Sequence, residues 1–211
     1  MRLPVYLLLD TSGSMSGEPI EAVKNGVQVL VSSLRQNPYA LETASLSVIT
    51  FDSSVRQIIP LTDLVSFQMP EISASGGTSL GEGLRVLSQC MDKEVVKSTA
   101  EKKGDWKPLV FLLTDGAPTD DWQSGLAELN KRRPGMLVAC AAGVGADTSI
   151  LQQITKDVVR LDTTDSAAIK EYFKWISGSI VEGSKKVDSG AQGVAGLNEL
   201  PPPPPEVNVV F

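Results

Sequence analysis

Leu3-Pro4-Val5-Tyr6-Leu7-Leu8-Leu9 runs straight into Asp10-Thr11-Ser12-Gly13-Ser14. A nearly unbroken apolar run of this length reads as a central strand buried on both faces, which is the habit of parallel sheets. The polar run behind it puts a carboxylate and two hydroxyls at the strand's carboxyl end. Positions 10, 12 and 14 can converge there while the skipped residues turn away. Outward from this stretch, short β-rich runs alternate with amphipathic helical patterns, the mark of a sheet covered by helices on both sides. Pro19 stands where a first helical turn begins. Ile20, Val23, Val27, Leu30, Val31 and Leu34 follow at helical spacing until Pro38 stops them. Strands are expected at 45–51, 107–113, 136–142 and 158–161. Residues 55–60 follow the second strand so closely that they read as an antiparallel edge strand, where the closing proline is tolerable. Helices are expected to carry Leu80, Leu84, Leu87 and Met91, then Trp122, Leu126 and Leu129. Residues 149–155 and, last, 166–182 complete the set. The expected architecture is α/β and doubly wound (Rossmann-like): a mostly parallel six-stranded sheet with one antiparallel edge strand and helices on both faces.

Composition narrows the chemistry. The chain has 211 residues, 42% hydrophobic and 21% charged, so global disorder and fibrous folds are excluded. No apolar run approaches the roughly 20 residues that cross a bilayer, and the N-terminal stretch is too short for a signal peptide. Net charge is −6 and the longest basic run is Lys131-Arg132-Arg133, which argues against nucleic acid as a partner. The two cysteines, Cys90 and Cys140, sit in apolar stretches and read as buried free thiols; with no secretory signal, a cytoplasmic chain is expected. There is no histidine. Ser-His-Asp and Cys-His catalysis and His-ligated zinc or haem are thereby excluded.

In an open parallel sheet, ligands bind beyond the strands' carboxyl ends where the strand order reverses. With the order 3-2-1-4-5-6, Asp10 after the first strand and Asp115 after the fourth flank that crevice. Thr78, in the loop Ser73-Ala74-Ser75-Gly76-Gly77-Thr78, adds a third hydroxyl. Two carboxylates and three hydroxyls make a hard-oxygen site suited to Mg²⁺, with Mn²⁺ or Ca²⁺ as substitutes. If the hydroxyls bind directly and the aspartates mainly orient waters, the cation stays under-neutralised and draws in a partner's Asp or Glu.

The Asp-x-Ser-x-Ser loop, Thr78 and Thr114-Asp115-Gly116 together resemble the metal-ion-dependent adhesion site of von Willebrand factor A domains, over about residues 3–182. The resemblance implies a non-catalytic domain in which Ser12, Ser14 and Thr78 bind the ion directly. Asp10 and Asp115 act there mostly through water, and a ligand carboxylate completes the coordination. More narrowly, residues 7–22, 75–81 and 113–120 are similar to the TerY-like proteins of bacterial tellurite-resistance clusters. That similarity implies a cytoplasmic scaffold in stress phospho-signalling, associated with a protein kinase and a metal-dependent protein phosphatase.

The domain is expected over 1–182, with 183–211 a Gly/Ser- and Pro-rich tail. Its proline run, Pro201 to Pro205, reads as a spacer of about 15 Å or a docking segment. Residues 207–211 are apolar enough to add a strand to a sheet edge. The enzyme alternative is a Mg²⁺-dependent phosphohydrolase with Asp10 as nucleophile. It lacks the general acid expected two residues on, where Ser12 stands. Gly143-Val144-Gly145 reads as a tight turn rather than a phosphate loop. Trp122 reads as a packing residue, with an exposed anchor beside the metal as the alternative. Asp120-Asp121 reads as a helix N-terminal cap, or else as a rim selecting among acidic partners.

Overall fold

The computed structural model describes residues 1–189 and 196–210. The elements in order are β1 (Leu3–Asp10), α1 (Glu18–Arg35), α2 (Pro38–Thr43), β2 (Ala44–Phe51), β3 (Val55–Asp63), α3 (Leu80–Glu94), β4 (Leu109–Thr114), α4 (Trp122–Asn130), β5 (Met136–Ala142), α5 (Thr148–Ile154), β6 (Asp157–Leu161), α6 (Ser166–Ser189) and β7 (Val207–Val210). The strands form one sheet in the order β3-β2-β1-β4-β5-β6-β7. The five central strands run parallel, and β3 and β7 close the two margins antiparallel. The expected doubly wound α/β architecture is what the chain adopts, with a seventh strand supplied by the tail.

Side chains alternate across the sheet, so each strand feeds two cores. Leu3, Val5, Leu7 and Leu9 pack with α1 and α6 around Val27, Leu30, Phe173 and Ile176. Tyr6 and Leu8 pack with α3 and α4 around Leu84, Leu87 and Leu129. Every residue of β1 and β4 is buried, as a strand covered on both faces requires. On the first face Gly26 lets α1 approach α6: a Cβ there would lie 2.1 Å from the Phe173 ring. On the second, Gly125 of α4 meets the Gly81 carbonyl of α3, where a Cβ would lie 2.0 Å from the oxygen. Cys90 and Cys140 are free and buried.

Three features depart from the expected outline, and the tail takes up one of its expected options, a strand at the sheet edge. Pro38 ends the first helical pattern but also opens α2, whose Asn37 side chain accepts from the Ala40 N–H at 3.1 Å. β3 continues past Pro60 to Asp63, because at a margin the missing N–H leaves no ladder bond unmade. Register shifts between Leu46 and Ile49 absorb the irregularity. The last helix does not stop at 182 but reaches Ser189, since Ile176, Ile180, Ser184 and Val187 continue one buried stripe. The tail then returns to the body: Trp175 Nε1 donates to the Pro201 carbonyl at 2.8 Å, the Leu197 N–H donates to Asp157 at 3.2 Å, and β7 pairs with β6. Of the Gly- and Ser-rich stretch 184–200, residues 190–195 lie outside the described residues, as does Phe211. No helix among the described residues is long and apolar enough to cross a membrane.

Candidate metal centre

β1 and β4 are adjacent, with Leu9 opposite Leu113, so Asp10 lies beside Thr114 and Asp115 follows one residue beyond. Both carboxylates therefore emerge at the same end of the sheet, in the crevice where the winding reverses. Asp10 is fully buried. Its Oδ1 accepts the Ser12 N–H at 2.8 Å and its Oδ2 accepts the Thr114 hydroxyl at 2.6 Å. The first bond folds the loop back on itself, and the Ser12 and Ser14 hydroxyls come to 3.0 Å of each other. Ser14 donates to Asp115 Oδ1 at 2.8 Å, joining the β1 and β4 loops. Four of the five expected residues thus form one connected polar cluster.

Thr78 arrives from the third loop. The Gly13 N–H donates to the Gly76 carbonyl at 2.9 Å and the Ser75 N–H to the Thr11 carbonyl at 2.8 Å. Gly76 takes φ +74°, a backbone conformation that suits glycine. Thr78 Oγ1 lies 3.8 Å from where a Gly116 Cβ would stand, so the hydroxyl faces the Asp115 loop. No direct bond between that hydroxyl and Ser12, Ser14 or Asp115 occurs among the described residues.

Thr119, to which the sequence reading gave no role, and Asp120, read there as part of a helix cap, hold this third loop in place. Thr119 Oγ1 accepts the Thr78 N–H at 3.1 Å, and the Thr119 N–H donates to the Thr78 carbonyl at 2.9 Å. Asp120 accepts the Gly81 and Glu82 N–H groups, each at 2.8 Å. Asp120 therefore caps α3 from another loop, where Ser79 at the N-cap makes no side-chain bond. Only Asp121 caps α4, through Ser124 N–H at 3.1 Å. The Asp-Asp pair signalled one cap; a cap reaching 39 positions along the chain has no local signature. Trp122 is buried, so it is a packing residue and no anchor. Gly143 makes the expected turn at φ +75°, and Gly145 lies so close that a Cβ would be 2.8 Å from the Asp115 carbonyl. Between them Val144 stands 88% exposed beside the site.

The electrostatics are unbalanced. No lysine or arginine pairs with Asp10 or Asp115 among the described residues. Burial pushes the Asp10 carboxyl above its ordinary value, and the bonds from Ser12 and Thr114 only partly offset this; Asp115 adds to the rise. Among the described residues no three His, Cys, Asp or Glu side chains gather as a metal cluster. The other side-chain oxygens bonded into the cluster are the hydroxyls of Ser12, Ser14 and Thr114. Two sunken carboxylates without a resident cation, beside two paired hydroxyls of which Ser14 is exposed, fit a hard divalent ion approached from solvent.

Fold and site together define a doubly wound α/β domain with an oxygen-lined crevice at its switch point. The family model of the von Willebrand factor type A domain matches residues 5–174, and the chain belongs to that family. An uncharacterized protein of Synechocystis is 33% identical over 122 residues, covering 54% of this chain and 26% of that protein. A von Willebrand factor A domain-containing protein of Dictyostelium discoideum is 29% identical over 125 residues, covering 54% of this chain and 12% of its own length. The chain thus spans about a quarter of the first of these curated relatives and about an eighth of the second. Among solved structures, the von Willebrand factor type A protein of Catenulispora acidiphila superposes with a TM-score of 0.65 at 17% identity, covering 86% of this chain and 43% of that one. Proximal thread matrix protein 1 of the mussel byssus, in a structure with zinc in its MIDAS motif, gives 0.61 at 19% identity over 84% of this chain and 48% of that one.

Proposed function

We propose that this domain is a non-catalytic, divalent-metal-dependent protein-binding module that grips a partner's Asp or Glu carboxylate. The observation that carries the reading is the pair of carboxylates without a lysine or arginine partner, Asp10 joined through the Ser12 N–H and Asp115 through the Ser14 hydroxyl to one Ser12–Ser14 hydroxyl pair at the carboxyl end of the sheet. Asp10, Ser12, Ser14, Thr78 and Asp115 would hold Mg²⁺, with Mn²⁺ or Ca²⁺ as substitutes. A bound divalent ion supplies a positive centre that an outside carboxylate can complete. The chain's residues do the rest: Thr114 and the Ser12 N–H orient Asp10, Thr119 and Asp120 keep Thr78 in reach, and Val144 offers the partner an apolar contact. Burial of Asp10, with both oxygens already accepting hydrogen bonds, disfavours its use as a phosphoryl nucleophile.

Residues 1–182 are read as the site-bearing domain and 183–211 as its extension. From the TerY-like similarity of its loops, the chain is read as a cytoplasmic scaffold of a tellurite-resistance or stress phospho-signalling system, with a protein kinase and a metal-dependent protein phosphatase as partners. The test is calorimetric titration of the full chain with MgCl₂, followed by pull-down with and without chelator. Wild type should bind the ion and release its partner in chelator, whereas Ser12→Ala and Asp115→Ala should capture neither the ion nor the partner while keeping the fold. Equal partner binding in Mg²⁺ and in chelator would refute the mechanism, as would Mg²⁺-dependent hydrolysis of a generic phosphate ester that Asp10→Asn abolishes.

A further inference from the structure

The opposite end of the sheet has its own cavity, of about 260 Å³, between the end of α3, the loop that follows it, and the turn entering β5. Its floor is apolar: Met91, Val95, Trp106 and Pro108. Its rim carries Lys97, Lys107, Arg132 and Arg133. The two carboxylates in the lining are already spent. Asp105 is held by the Arg2 guanidinium at 2.6 Å and accepts the Val96 N–H at 2.9 Å. Asp92 is held by Arg132 at 2.5 Å, with Lys97 at 3.6 Å. Lys107 and Arg133 are exposed, and neither has a carboxylate partner within 4.0 Å among the described residues. On a chain of net charge −6, this mouth is a local exception.

The wall is built by its own hydrogen bonds. Asp105 N–H donates to the Val96 carbonyl at 2.8 Å, Gly104 N–H to Ser98 Oγ at 3.0 Å, and Thr99 N–H to the Lys102 carbonyl at 2.9 Å. Gly104 has no room for a side chain, since a Cβ would lie 2.4 Å from the Val96 oxygen. The loop therefore presents Val96 and Lys97 in a set place, with Val96 46% exposed.

We propose that this cavity is a second protein-binding site, taking one large apolar side chain from an acidic polypeptide segment. The volume and the apolar floor accept a single side chain of phenylalanine or leucine size, and the uncompensated cations at the mouth hold the acidic residues that flank it. A small oxyanion would leave the Met91–Trp106 floor wet. A nucleic-acid strand needs a longer positive track than these few cations supply. The site is independent of the metal reading: β4 alone separates it from Asp115 by about 20 Å.

The test is fluorescence anisotropy of the full chain with a labelled peptide of four acidic residues around one phenylalanine. The peptide should bind equally in Mg²⁺ and in chelator, and more weakly as salt rises. Replacing its phenylalanine by alanine should reduce affinity about tenfold. The Lys107→Glu/Arg133→Glu variant should lose a similar factor with its melting temperature unchanged. Lys97→Glu, on the exposed loop, should weaken binding less. Absence of binding at millimolar protein would overturn the proposal, as would indifference to these charge reversals. Loss of binding in chelator would move the peptide to the metal face. Equal or tighter binding of a single-stranded oligonucleotide of the same charge would make the site a nucleic-acid one.

Discussion

The two ends of the sheet treat their aspartates in opposite ways. At the carboxyl end of β1 and β4, Asp10 and Asp115 sit buried with hydroxyls and an N–H for company and no cation. At the amino end, Asp105 is forked by Arg2, and Asp92 is paired with Arg132. The pKa directions follow. Burial carries Asp10 up. Burial alone would raise Asp105 too, but Arg2 and the N–H groups of Val96 and Arg2 bring it below its ordinary value. Asp92 is lowered, chiefly by Arg132. Asp105 and Asp92, each with a guanidinium, are tied into the scaffold, whereas Asp10 and Asp115 have no lysine or arginine partner among the described residues.

The sharpest way to break this contrast is to remove a scaffold carboxylate. Asp105→Ala strands the Arg2 guanidinium and two N–H donors, and should cost about 3 kcal/mol in urea unfolding. A loss near zero would mean that the amino end is as unfinished as the carboxyl end. Next comes supply of the missing cation. Mg²⁺ at a hundredfold excess over its Kd should stabilise the wild type by about 2.7 kcal/mol and Asp115→Ala not at all, read as thermal melts in metal and in chelator.

Smaller in size but opposite in sign is Asp10→Asn in chelator. Because the folded Asp10 carboxyl lies above its ordinary 3.8, the folded state takes up its proton first as pH falls. Stability contributed at Asp10 therefore rises as pH drops through the raised value toward 3.8. Asp105 does the reverse: its contribution is full above 3.8 and is lost as pH falls through its lowered value. The asparagine variant should match or slightly exceed wild-type stability at neutral pH, lose the acid-side gain, and lose the Mg²⁺ response. Smallest of all, Lys131→Ala opens the exposed pair with Glu128 and should leave the melting temperature unchanged.

Much of this arrangement could be read before any coordinates. Strands buried on both faces announce themselves as unbroken apolar runs, so β1 and β4 were legible, and with them the crevice that Asp10 and Asp115 flank. Asp-x-Ser-x-Ser is local, and local patterns survive in a sequence. What stayed hidden was short or distant. α2 has six residues, fewer than two turns, so no period forms. α6 continues through Gly183 and Ser184, small residues that look like linker yet lie on the buried side. Asp120 caps a helix on the far side of the crevice, and nothing near it in the chain says so. Arg2, two residues from the start, gave no sign of reaching Asp105, 103 positions away.

The pairing of β7 with β6 has one last consequence. β3, marked by Pro60 and a register shift, discourages strangers at one margin; the returning tail occupies the other. Severing the chain after Leu200 would uncover the outer ladder of β6, a row of amides with Val158 and Val159 behind it. Such a shortened protein should stick to copies of itself even while its metal crevice stays whole. Clipping by a protease between the prolines and β7 would thus change its solubility before it changed what it binds.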